Sequence, residues 1–78
     1  MGLAEDIGDK LAIDVLKVVE RLGDEDLIIE IAKLLGTSST PTEEAFRSSI
    51  RIRQADARAR AYLRDYLRKA LNKDKMPE

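Results

Sequence analysis

Between Pro41 and Leu71 the chain contains neither Gly nor a second Pro, and Ala, Arg and Leu dominate the run. Nothing in such a stretch breaks a helix, and its composition favours one, so it predicts a single helix of about 30 residues and about 45 Å. Its start is marked as well. Thr40 sits where an N-cap belongs, Pro41 at the first helical position and Glu43 three residues after the cap, the pattern of a capping box. A helix of this length within 78 residues leaves little chain to cover it.

Two shorter helices precede it. From Leu3 to Leu22, residues Leu3, Ala4, Ile7, Leu11, Val15, Val18, Val19 and Leu22 fall on one broad face, with charged residues opposite. Gly23 suits the position after a helix end because it takes positive φ without penalty, and Asp24 can cap the next helix. That second helix, about Glu25 to Leu35, is apolar along Leu27, Ile28, Ile31, Ala32, Leu34 and Leu35, and Gly36 ends it. Gly36 to Thr40 is then a polar loop of the length that joins helices. Asn72 offers a left-handed stop for the third helix, which makes residues 1–72 one helical domain and 73–78 a frayed tail. No segment alternates with period two, so the expected class is all-α.

The lengths conflict in an informative way. At 1.5 Å per residue the first helix is about 30 Å and the second about 17 Å, so neither covers the third alone. If Gly23–Asp24 is a kink, the first two form a broken arm antiparallel to the third, a helical hairpin. If it is a reversal, the result is a three-helix bundle with part of the third helix overhanging. Either arrangement favours dimerisation into a larger helical bundle.

The main apolar face of the third helix gathers Ala45, Ile52, Ala55, Ala59, Tyr62, Leu63, Tyr66, Leu67 and Ala70. Apolar residues off the main faces are candidates for an interface: Ile13 and Leu16 on the first helix, Ile29 on the second, Phe46 and Ile50 on the back of the third, with Ala57 and Ala61 on the same side. The expected role is therefore a non-catalytic interaction module that forms a homo-oligomer, a dimer above all, or docks on a protein partner.

Charge supplies the alternative. The net charge of −1 conceals an acidic half and a basic half: residues 1–36 hold nine acidic and four basic side chains, residues 37–78 six acidic and ten basic. These halves can neutralise each other across helix contacts. They can also mark a small DNA- or RNA-binding regulator, since Arg53, Arg60, Arg64 and Arg68 form one row on the third helix, and Arg47, Arg51, Arg58 and Lys69 another. The run Glu30 to Ser38 resembles the first helix and turn of a helix-turn-helix reader, but Thr42 stands where such motifs place a branched apolar residue, and the would-be recognition helix opens with Glu43 and Glu44, whose carboxylates would face phosphates.

Reaction chemistry has little to use. With no Cys and no His, thiolate sites, His-based metal sites and the commonest general base are excluded. Asp24/Asp26 and Glu43/Glu44 stand at helix starts, where acids suit the helix dipole. Ser48 and Ser49 lack a nearby base, and one of them is expected to bond back to a carbonyl four residues earlier. No catalytic residue, cofactor, metal or small-molecule ligand is expected. No window is apolar enough for a membrane span, and Met1 to Leu11 carries acids where a signal peptide carries Lys or Arg, so a cytoplasmic protein is expected.

One resemblance covers the whole chain. The Gly-Asp-Glu-Asp-Leu junction at 23–27, the Thr-Pro-Thr-Glu-Glu-Ala start at 40–45 and the run Ala55 to Arg64 resemble computationally designed helical bundle proteins, with deliberate caps and an evenly charged, Cys-free surface. Ser48, the Thr37–Thr40 loop and the Met76-Pro77 tail depart from that style. The resemblance implies a bundle made to assemble or bind.

Overall fold

A computed structural model describes residues 2–75, which form three helices and no strand: α1 (Leu3–Leu22), α2 (Asp26–Gly36) and α3 (Thr40–Lys75). Each boundary has a local cause. The Glu5 carboxylate accepts a hydrogen bond from the Gly2 N–H at 2.8 Å, satisfying a donor at the start of α1. Gly23 ends α1 at φ +75°, its N–H donating to the Val19 carbonyl at 2.6 Å, a backbone conformation that only Gly adopts freely. The Asp24 side chain accepts from the Asp26 N–H at 3.1 Å and caps α2.

Two boundaries differ from those read in the sequence. At the start of α3 the capping residue is Ser39, whose hydroxyl oxygen lies 3.3 Å from the Thr42 N–H and 2.8 Å from the Thr42 hydroxyl. Thr40 is already helical, and Glu43, instead of closing a capping box, accepts from Arg47 Nε at 2.9 Å. The shift is by one residue because Ser39 offers the same oxygen one position earlier. At the other end Asn72 does not stop the helix, and α3 continues through it to Lys75. A run of helix formers overrides a weak stop that nothing else reinforces. The expected tail from Met76 onward lies outside the described residues.

The core is small and aliphatic apart from one ring. Ala12 and Val15 of α1, Ala32 of α2, and Phe46 and Ile50 of α3 are buried, with Leu11, Leu16, Val19, Leu27, Ile28, Ile31 and Leu35 packed around them. Gly8 lets α1 reach α3: a Cβ there would stand 2.8 Å from the Ala45 Cβ and 2.8 Å from the Phe46 backbone nitrogen. The early turns of α1 thus meet the early turns of α3. In a broken hairpin Gly8 would instead face the far end of α3, so the chain turns back at Gly23–Asp24 and the arrangement is the three-helix one.

All of this packing involves α3 only as far as Gln54. From Ala55 to Lys73 every residue except Asp65 is exposed. This arm, about 28 Å long at 1.5 Å per residue, stands clear of the body and sets the molecule's dimensions of 62 × 29 × 13 Å. The radius of gyration is 17.5 Å, where a compact chain of this length has about 11–12 Å. The accessible surface is 6497 Å², against about 4,800 Å² for a folded monomer of this mass.

Candidate interaction surface

Among the described residues, the leucines and tyrosines in the second half of α3 are left exposed. Tyr62, Leu63, Tyr66, Leu67 and Leu71 are between 49% and 73% exposed. Spacings of three and four keep them on one side of the helix, with Ala59 and Ala70 between them. The Tyr62 and Tyr66 rings stack at 6.5 Å, which orders the row without covering it.

Most of this row is not an extension of the core face; only Leu67 and Leu71, at its edge, continue the side of Ser49, Thr42 and Phe46. Thr42, Phe46, Ser49 and Ile50 point at the body, whereas Ala45, Ser48 and Ile52 align with Ala59, Leu63 and Tyr66, about 120° further round at 100° per residue. Ile52, Ala45 and Ser48 form one wall of an open groove of about 970 Å³ between α1 and α3; Ile13 and Leu16 stand on the other wall. Groove and arm are therefore one apolar track along α3.

The interface candidates separate accordingly. Phe46 and Ile50, read as uncovered residues on the back of α3, are in the core at 0% and 4% exposure, so the protomer itself covers them. The apolar face assigned to the whole of α3 is instead the uncovered one. Ile13 and Leu16 are partly buried along the groove, Ile29 is half-exposed on α2, and Ala57 and Ala61 are exposed on the side of the arm away from the apolar row. The structure does not bring Ile29, Ala57 and Ala61 together with the groove pair. The overhang of α3 follows from the length mismatch, since a helix longer than its neighbours has an end with no cover; that its surface is the Tyr62–Leu71 row, and not the side of Phe46 and Ile50, is visible only in the fold.

Charge is arranged along the same track. Glu5, Asp9 and Glu20 from α1 and Glu44 and Asp56 from α3 line the groove, against Lys17 and Arg53. Beyond it, from Arg58 to Lys73, six basic side chains accompany one acid, Asp65. Of the ion pairs among the described residues, only Arg53–Asp9 joins the acidic and basic halves of the chain; Glu43–Arg47, Asp56–Arg60, Asp65–Arg68 and Asp65–Lys69 all lie within α3. Among the described residues, neutralisation of one half by the other is thus confined to one contact. Of the arginine row proposed for nucleic acid, Arg53, Arg60 and Arg68 have carboxylate partners, and Arg64 has none among the described residues.

The single cross-half contact is a small network. Ser49 donates its hydroxyl to Asp9 at 2.6 Å, Arg53 Nη2 reaches the same carboxylate oxygen at 2.7 Å, and Arg53 Nε donates to Ser49 at 3.1 Å. Ser49 therefore bonds across to α1 rather than back to its own helix, and Ser48 is exposed. Hydrogen bonds from Ser49 and then Arg53 hold the Asp9 carboxyl below its ordinary value of 3.8. Because the folded state binds this proton less readily than the unfolded state, the contact stabilises fully above the ordinary value and fades as pH falls through the lower folded one. The denaturation midpoint is expected to decline below about pH 4, and Asp9→Asn to lack that component of the decline, as read by urea titrations at stepped pH.

No protein-family model matches the chain, and no curated protein or solved structure is significantly similar to it. Among the described residues no helix is long and apolar enough to cross a membrane.

Proposed function

We propose that this chain is a non-catalytic helical interaction module that offers the arm of α3 to a protein surface, and that a second copy of the chain is the occupant. The observation that supports this is the row Tyr62, Leu63, Tyr66, Leu67 and Leu71, exposed on a helix end that the rest of the described residues leave uncovered. Burying side chains of this kind is worth about 1.5–3 kcal/mol each. A helical stretch with no tertiary packing rests on local propensity alone, whereas most helical stability in proteins comes from packing of an apolar face. An occupant that covers the row supplies both.

Area is sufficient for a copy of the same chain. The surface exceeds that of a compact monomer by about 1,700 Å², while a standard interface removes about 800 Å² from each partner. The resemblance to designed bundles points the same way, towards assembly. Nucleic-acid binding through Arg60, Arg64 and Arg68 is the second reading, carried by their position on the exposed arm. Carboxylate neighbours for two of the three weaken it.

Light scattering coupled to size exclusion separates the readings. The expected mass rises with concentration from 8.8 kDa to twice that value. A strict monomer at high micromolar concentration would overturn self-association. Retardation of a labelled duplex at low salt, abolished by Arg60→Glu with Arg64→Glu, would favour the nucleic-acid reading.

A further inference from the structure

Resting on that self-association, we infer a specific geometry: each arm lies in the partner's α1–α3 groove, and the two α3 helices run antiparallel about a two-fold axis near Ala57. Three observations carry this. The first is continuity. The groove wall of Ala45, Ser48 and Ile52 and the arm row of Ala59, Leu63 and Tyr66 occupy the same side of one helix. Turning a second α3 end for end therefore sets the arm of each copy over the groove of the other.

Length is the second. The groove is lined by α3 residues from Pro41 to Asp56, and the uncovered stretch from Ala57 to Lys73 has nearly the same extent. An axis near Ala57 satisfies both grooves and both arms at once. The contact is then isologous and closes at two copies, with no row left to propagate a filament. Near that axis stand Ala55 and Ala59, small enough for close approach of the two helices.

Charge chooses between this arrangement and the obvious competitor, arm against arm. Arg58 and Lys69 border the row on one side and Arg60 and Arg64 on the other. Pairing two arms sets these rows against their own copies, which disfavours the complex. The groove offers the opposite sign. Of its carboxylates, Glu5, Glu20 and Glu44 form no ion pair within the chain among the described residues. They stand beside apolar walls, Ile13 and Leu16 on one side and Ile52 on the other, that suit the arm's Leu and Tyr side chains.

The absence of Cys makes cross-linking a clean test. Ser48→Cys and Ala70→Cys alter exposed positions, one in the groove and one on the arm. Antiparallel pairing about Ala57 brings Ser48 of one copy within about 6 Å along the helix axis of Ala70 in the other. Two Ser48 sites would be about 27 Å apart, two Ala70 sites about 39 Å, and the two positions within one chain about 33 Å. A short bismaleimide should therefore couple an equal mixture of the two variants and leave either variant alone uncoupled. Coupling of Ala70→Cys by itself would mean arm against arm and overturn the geometry. A dimer by light scattering that fails to couple in the mixture would overturn it too, while leaving self-association standing. A strict monomer would overturn both. As an independent reading, Glu20→Lys with Glu44→Lys, both exposed, should weaken the dimer by at least tenfold, and an unchanged affinity would exclude the acidic groove as the seat.

Discussion

Phe46→Ala is expected to cost the protomer about 3–5 kcal/mol, and in this chain that approaches the whole of its stability. Phe46 is the largest fully buried side chain, and the other buried apolar residues are Ala12, Val15, Ala32 and Ile50. Removing the ring leaves a hole that small neighbours cannot fill. A domain of this size is stable by about 4–12 kcal/mol, and the arm contributes no intramolecular packing to that total. Urea denaturation followed by circular dichroism should show the midpoint fall steeply or the transition vanish. The variant also tests where Phe46 belongs. A residue of the interface would instead change the mass of the assembly and leave the fold of the single chain intact.

The opposite behaviour is expected on the arm. Leu63→Glu with Tyr66→Glu places two carboxylates on the apolar row, where each native side chain is more than half exposed in the single chain. Neither residue supports the core, so the helical signal from residues 3–54 should persist. What is lost is burial on assembly, about 1.5–3 kcal/mol for each side chain; both copies carry the pair, so four side chains are affected and dimer Kd should rise by at least about four orders of magnitude. Light scattering should return 8.8 kDa at concentrations where the parent chain is a dimer. A variant that unfolds as Phe46→Ala does would show that the arm folds back onto the body in solution.

The sequence made the helices legible because their punctuation is chemical. Gly23 and Gly36 stand at or beside helix ends, and the uninterrupted run after Pro41 has no alternative to helix. The capping residue at α3 was off by one because Thr37, Ser38, Ser39 and Thr40 all carry a capping oxygen, and only the turn geometry chooses Ser39. The larger error concerned which side of α3 faces inward. Averaged over the whole helix, apolar character is dominated by Tyr62, Leu63, Tyr66 and Leu67, so their side reads as the core side. Only the early turns of α3 are packed, however, and there Phe46 and Ile50 outweigh Ala45 and Ser48. A helix that leaves its fold midway has two faces, one for each half, and a single average merges them. The Asp9–Ser49–Arg53 contact left a trace only on α3, where Ser49 and Arg53 are one turn apart; nothing in α1 marked Asp9 as their partner.

The projecting arm also governs how this protein will look to any technique that measures size instead of mass. A radius of gyration of 17.5 Å is that of a compact globule of about 235 residues, three times the length of this chain. Judged by scattering radius alone, a single copy would pass for a trimer. Reciprocal seating of the arms would add mass without much added length, so the step from one copy to two should barely move an elution peak. The same step would double the forward scattering per chain.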